Sequence, residues 1–231
     1  TFHINEKTHP NGQKIGTYGF IKNPQAFVGG VAINEQKSLI DFGYVFEMMI
    51  LKLTALNFDT CWLGGTFKRK DYRRKLADNE IIPAVSPVGF AAKKRSLIDR
   101  FLRKQAQSST RKDNHELFFN YIDGAPFDIV NNNQLITPLT FVRRAPSASN
   151  KQPNRLFIDN KEGHIHVGLA RTNGYAKMLS YDIQSLDICI AISHLELALE
   201  EINAKYTKKI LENITLPNDA EYIITYQISK S

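Results

Sequence analysis

Cysteine is scarce in this sequence: Cys61 and Cys189 are the only two, far apart in the chain. A disulfide framework needs more cysteines, and a zinc site needs ligand pairs a few residues apart, so both are excluded as organising principles. Their neighbours are apolar, which predicts two thiols in apolar surroundings and fits a reducing cytoplasm. No apolar run approaches the length of a membrane span, so membrane crossing by a helix is not expected. No secretory signal pattern is present, although the first residue is Thr1 rather than Met. Several sequence motifs are missing too. There is no G-x-S-x-G elbow, no P-loop and no G-x-G-x-x-G fingerprint, so hydrolase, P-loop and Rossmann chemistry have no footing. Zinc-finger spacing, an RNP motif and a basic zipper are likewise absent.

What is present is a chain of 231 residues, 42% hydrophobic, enough for a substantial core in one or two domains. The formal charge is +7, with basic residues concentrated at 68–75 (KRKDYRRK) and 93–112. Such a balance invites nucleic-acid binding. Both runs also read as solvated helix or loop surface, and a phosphate-bearing ligand needs only a few cations. Nucleic acid therefore ranks last among the candidate partners.

Residues 43–56 (GYVFEMMILKLTAL) are apolar almost all round, which predicts a central buried helix. Residues 182–202 repeat apolar side chains at helical spacing behind Asp182, a natural N-cap. Strands are predicted at 26–33, 84–90, 155–158, 164–169 and 222–228 from their β-branched and aromatic content. Residues 160–163 (NKEG) read as the hairpin turn joining the third and fourth of these. Strand, helix, turn and strand thus recur in outline in both halves, which predicts an internal duplication and an α+β fold, a mixed sheet with a helical core.

Residues 145–153, APSASNKQP, carry the clearest chemical signal. Pro146 and Pro153 fix φ and remove two donors. Between them Ser147, Ser149, Asn150 and Gln152 crowd hydroxyls and amides into a short stiff segment, suited to the edge of a flat heterocycle. An ordinary Asx or Ser turn is the alternative. Residues 60–67, TCWLGGTF, follow the first long helix, and adjacent Gly64 and Gly65 let a planar ligand approach the main chain; a helix C-cap and turn is the competing explanation. Ser86 to Phe90 ends a strand and leads to Lys93, Lys94 and Arg95, cations placed to hold a phosphate, or else a solvated loop. His164 and His166 share one face of a strand without a third ligand nearby, and read as structural. His194 and Glu196 read as packed polar contacts within a helix.

Taken in order, APSASNKQP, GTYGFIKNP (16–24), TCWLGGTF, IPAVSPVGFAAKKRS (82–96) and SLDICIAISHLELA (185–198) resemble the FMN-dependent nitroreductase family. The similarity is to its tandem branch, in which two nitroreductase-like repeats are fused. The resemblance implies a nitroreductase-like α+β fold with mixed and antiparallel sheets around central buried helices. It implies a first repeat at 1–98, a connector at 99–114 and a second repeat at 115–231. Leu63, Gly64, Gly65, Lys93, Lys94 and Arg95 of the first repeat, with Pro146, Ser147, Ala148 and Asn150 of the second, are the implied FMN-binding residues, forming one composite site per chain. A reciprocal site is not expected, because Asn203, Ala204, Lys205 and Tyr206 stand where a glycine loop is needed. The family's Arg-rich N-terminal phosphate segment has no counterpart, so the chain is expected to begin downstream of it. Asn154 stands where the family has Trp.

The implied chemistry is hydride transfer from NADH or NADPH to N5 of FMN, then onward to a small electrophilic acceptor such as a nitroaromatic or quinone. No side chain is required as nucleophile or acid; the cofactor carries the reaction. The implied partners are small molecules, with no membrane, and the chain is expected to be a monomeric pseudo-dimer or a homodimer in the cytoplasm. The rival from another class is a flavin-binding or flavin-less scaffold without turnover.

Overall fold

The computed structural model describes residues 2–6, 17, 21, 24–71, 76–90, 110–175, 177 and 179–229. The chain divides into two compact units, Thr1–Gln107 with Ala176–Leu186, and Ser108–Tyr175 with Asp187–Ser231.

In the first unit, β1 (Phe2–Glu6), β2 (Ala26–Gly30), β4 (Asp59–Thr60) and β6 (Val85–Gly89) form an antiparallel sheet in the order β1-β2-β6-β4. β3 (Ala32–Ile33) pairs instead with β5 (Glu80–Ile81). The single strand expected at 26–33 is therefore two strands, because the chain changes partner at Val31. Pro87 pairs with Phe27 of β2 and lies just beyond the last residue covered by β4, where a missing donor is tolerated. Phe27, Leu63, Phe67, Ile82 and Val85 make a core cluster under this sheet.

Helix α1 (Gln36–Ala55) buries Leu39, Phe42, Phe46 and Ile50, a stripe at helical spacing. It is longer than the 43–56 stretch predicted, and it is not buried all round: Val45 is 46% exposed. Its apolar positions off the stripe are only half covered, so near-continuous apolar composition overstated its burial.

In the second unit, β7 (Phe118–Asn120), β8 (Asn154–Asp159), β9 (His164–Leu169), β10 (Tyr206–Lys209) and β11 (Glu221–Ile228) form a sheet in the order β10-β11-β9-β8-β7. All pairs are antiparallel except β7 with β8. The mixed sheet matches the α+β expectation. Asp159 pairs with His164 across the predicted 160–163 turn, where Gly163 takes φ +69°. The short helix α2 (Asn114–Leu117) is closed by a capping box of Asp113 and Glu116, and α3 (Ile136–Arg144) leads into the 145–153 loop.

Helix α4 (Ile183–Glu201) agrees with its predicted span. Asp182 Oδ1 accepts the Gln184 and Ser185 amides at 3.1 and 3.3 Å, the N-cap read from sequence. Inside the helix, Ser193 Oγ donates to the Cys189 carbonyl at 2.8 Å, which satisfies a buried hydroxyl. Cys189 is buried as predicted, whereas Cys61 is exposed, in the irregular stretch after β4. Among the described residues, no helix is long and apolar enough to cross a membrane.

Candidate functional site

The glycine segment of the first unit is tied down on both sides. Leu63 is buried and exchanges backbone hydrogen bonds with Val85 of β6 at 2.9 and 3.1 Å. Before it, the Trp62 indole donates to Glu47 Oε2 of α1 at 2.7 Å and meets the Phe46 ring edge-on at 4.5 Å. After it, the Gly64 carbonyl accepts from Arg69 Nη2 at 2.6 Å and from the Tyr181 hydroxyl at 3.0 Å. Arg69 also donates from Nε to the Ile82 carbonyl at 3.1 Å, and its guanidinium lies 4.8 Å from the Phe67 ring centre and 5.2 Å from that of Tyr181. The single Tyr181 hydroxyl proton is shared with the Pro83 carbonyl, the nearer acceptor at 2.7 Å.

The two glycines differ in what surrounds them. A Cβ on Gly64 would lie 2.8 Å from Ile183 Cδ1, so this glycine is needed for close packing by the chain itself. A Cβ on Gly65 would have only Leu179 Cδ2 within 4 Å, at 3.7 Å, and the residue is exposed. Gly65 is thus the more open of the two glycines. The expected phosphate cations Lys93, Lys94 and Arg95 lie outside the described residues.

In the second unit, the 145–153 loop is held in a conformation few sequences adopt. Ser149, Asn150 and Gln152 take φ of 47°, 54° and 47°. Left-handed backbone at non-glycine residues costs on the order of 1 kcal/mol each and collects at binding sites. Ser147 Oγ accepts the Gln152 amide at 2.8 Å, and the Ser147 carbonyl accepts the Asn150 amide at 3.0 Å. The Ala148 amide donates to Asp187 Oδ1 of α4 at 2.8 Å. Asn150 Nδ2 donates to the Thr110 carbonyl at 3.1 Å, and the Lys112 amide donates to Gln152 Oε1 at 2.8 Å. Pro146 is half-buried at the start of the loop. The Tyr175 hydroxyl donates to Ser149 Oγ at 3.0 Å; burial pushes this phenol up, and the Asp187 charge adds to the effect against that hydrogen bond.

Within each unit the structure thus brings the predicted residues together: Leu63, Gly64 and Gly65 in one segment, Pro146, Ser147, Ala148 and Asn150 in the other. It adds partners that sequence reasoning missed, namely Arg69 and Tyr181 in the first unit, and in the second Asp187, Tyr175 and Arg111, whose Nη1 donates to Asn150 Oδ1 at 3.4 Å. Asp187 had a signal, being a lone carboxylate in the apolar run LDICIAIS. Arg69 and Tyr181 had none, since they are brought to Gly64 only by the fold.

The histidine pair behaves as structural. His166 Nδ1 meets Thr225 Oγ1 at 2.8 Å, the ring lies 4.3 Å from Tyr121, and Nε2 has no hydrogen-bond partner among the described residues. Burial, then the neighbouring His164, push its pKa down to about 4, with Asp159 opposing. His194 Nδ1 contacts the Phe141 carbonyl at 3.2 Å; Glu196 takes Lys208 Nζ at 3.1 Å and the Tyr226 hydroxyl, as packed polar contacts. Among the described residues, Asp113, His115 and Glu116 could meet at a metal, their ligand atoms lying within 4.8 Å of one another. All three are exposed, and both carboxylates already serve the capping box. At the start of β8, Asn154 is buried with Nδ2 unpartnered among the described residues.

Comparison with known proteins bears on the family and the fold. A family model described as "Putative TM nitroreductase" matches residues 2–199. The crystal structure of a putative nitroreductase from Thermotoga maritima superposes with a TM-score of 0.58 at 17% identity, covering 99% of this chain and 74% of that one. At that identity the likeness speaks for the fold. No curated protein matches in sequence.

Proposed function

The chain belongs to the family described as "Putative TM nitroreductase", and on that premise we propose that it is an FMN-dependent oxidoreductase, using NADH or NADPH to reduce a small electrophilic acceptor. The observation that carries this reading is the pre-formed 145–153 loop, with its left-handed Ser149, Asn150 and Gln152 fixed by the chain's own hydrogen bonds. A surface already held in a strained shape binds without paying the ordering entropy that a mobile loop would.

Each unit, taken by itself, has one feature that supports a flavin. Gly65 offers open main chain with nothing closer than 3.7 Å to an added Cβ. Ser147 Oγ accepts the Gln152 amide, which leaves its hydroxyl proton without an acceptor among the described residues. When bound, FMN supplies reversible two-electron chemistry. For the rest, this chain's residues bind and orient. Of the assigned Leu63, Gly64 and Gly65, the last presents open backbone to the ring, while Leu63, paired with Val85, anchors the segment, and Arg69 and Tyr181 fix the Gly64 carbonyl and hence the peptide plane that follows. Pro146, Ser147, Ala148 and Asn150 present the stiff polar edge. Lys93, Lys94 and Arg95 are assigned to the phosphate. No side chain is assigned a covalent or proton-transfer step.

One observation favours the second reading, a scaffold of the same fold without turnover. The Ala148 amide and the Asn150 side chain, which the flavin reading assigns to the ligand, are engaged with Asp187 and with Thr110. The visible spectrum of the purified full-length protein decides. Oxidised-flavin absorbance that NADH or NADPH bleaches is the expected result. Bound flavin that neither donor reduces would favour the scaffold, and a colourless protein that takes up no added FMN would sink the cofactor assignment.

A further inference from the structure

Six cations of the second unit, Arg111, Lys112, Arg143, Arg144, Lys151 and Arg155, gather about the 145–153 loop. Hydrogen bonds hold their backbones together. Arg111 Nη2 donates to the Arg144 carbonyl at 3.2 Å, and Nη1 to Asn150 Oδ1 at 3.4 Å. Arg143 Nε donates to the Lys112 carbonyl at 2.7 Å. Arg155 Nη1 reaches the Gln152 and Asn154 carbonyls at 2.9 and 2.7 Å. Lys151 Nζ stands 5.5 Å over the Tyr175 ring.

These side chains are not a loose solvated fringe, since Arg111, Lys112, Arg143 and Arg155 are half-buried. The nearby acids are fewer. Asp113 lies 3.7 Å from Arg143 with its side chain 70% exposed; Asp113 and Glu116 cap α2, and Asp187 is taken by Ala148. Among the described residues named here, six cations stand against three acids. Among the described residues, the guanidinium contacts named above run mostly to carbonyls, which orient the cations. The groups feel one another. Burial first, then Arg143, lowers Arg111; burial, then Arg155, lowers Lys112, with Lys151 adding and Glu116 opposing. A bound anion would relieve that repulsion.

We propose that this cluster binds the phosphate group of a nucleotide, at residues separate from the 93–95 run. Guanidinium forks suit phosphate oxygens, and the stiff loop sets their spacing. The site requires no turnover, so it stands or falls apart from the oxidoreductase reading.

The test uses the full chain, unfolded by heat in sodium phosphate and in sodium chloride of matched ionic strength. Phosphate at ten times its dissociation constant should raise the midpoint by about 3–5 °C. Arg144→Ala combined with Lys151→Ala removes two exposed charges that make none of the backbone contacts above, and should lose at least half of that rise. Lys161→Ala, at the 160–163 turn of the same unit, should keep it. Affinities then identify the occupant, with FMN set against riboflavin and NADPH against nicotinamide riboside. A weakening of about tenfold in the double variant, confined to the phosphate-bearing member of either pair, supports the proposal and names the source. Equal midpoints in the two salts, an unaltered rise in the double variant, or equal losses with the phosphate-free compounds would overturn it. A colourless protein that still passes the phosphate test would sink the flavin reading and leave this one standing.

Discussion

At Gly64 an added Cβ would press on Ile183 Cδ1 at 2.8 Å, whereas at Gly65 it would find only Leu179 Cδ2 at 3.7 Å. The neighbouring glycines therefore answer to different constraints, and substitution separates them. Gly64→Ala should cost about 1–2 kcal/mol through overpacking against a movable methyl. Ile183→Val, which deletes that methyl, should recover part of the loss in a double-mutant cycle read by urea unfolding. Gly65→Ala should stay within about 0.5 kcal/mol of the parent in stability, yet weaken FMN uptake if the ring approaches there. His166 gives a residue-scale prediction for pH. Its folded pKa of about 4 lies below the ordinary value of 6.5, so the unfolded chain takes up the proton first as pH falls. Stability is then intact above about pH 6.5 and declines toward pH 4, by at most about 3 kcal/mol from this group. His166→Gln should flatten that part of the profile when urea midpoints are measured across it; an unchanged slope would show that the ring is not the titrating group.

Among the elements, the long helix α4 and the β8–β9 hairpin were legible because periodicity, an N-cap aspartate and a glycine turn all pointed one way. Helix α1 was legible in existence and not in burial, since composition cannot say which apolar face finds a neighbour. Strand 26–33 was read as one because its residues are uniformly apolar, and only tertiary pairing reveals the change of partner at Val31. The short strands β7 and β10 carry too few residues for a pattern. For the candidate site, Pro146, Ser147 and Asn150 announced a stiff loop, but not that its polar groups would bond to one another. That internal bonding is testable. Ser147→Ala removes the acceptor of the buried Gln152 amide and should destabilise the chain by about 1–2 kcal/mol. Arg69→Ala withdraws the guanidinium from the Gly64 and Ile82 carbonyls; a loss of about 2–4 kcal/mol is expected, with Tyr181→Phe costing less because Arg69 stays in place. Both are read from chemical denaturation, and an Arg69→Ala protein as stable as the parent would refute the clasp.

At the scale of the whole molecule, sequence order and compact units do not coincide: the first unit is completed by Ala176–Leu186, which follow most of the second. That late segment is not a passive tail. Tyr181 bonds to the Gly64 and Pro83 carbonyls, Ile183 fills the space beside Gly64, and the Ser180 carbonyl accepts from Asn34 Nδ2 at 3.0 Å. A fragment ending at Gln107 would expose the apolar surface those residues cover, and leave the carbonyls around Arg69 one donor short. Isolated residues 1–107 should therefore melt without a cooperative transition by circular dichroism, while the full chain melts cooperatively. Supplying residues 176–186 as a synthetic peptide should raise the fragment's ordered signal in a saturable way, and a Tyr181→Phe peptide should do so more weakly. A fragment that melted sharply on its own would mean that the late segment adds little, and the glycine segment would then owe its shape to β6 and α1 alone.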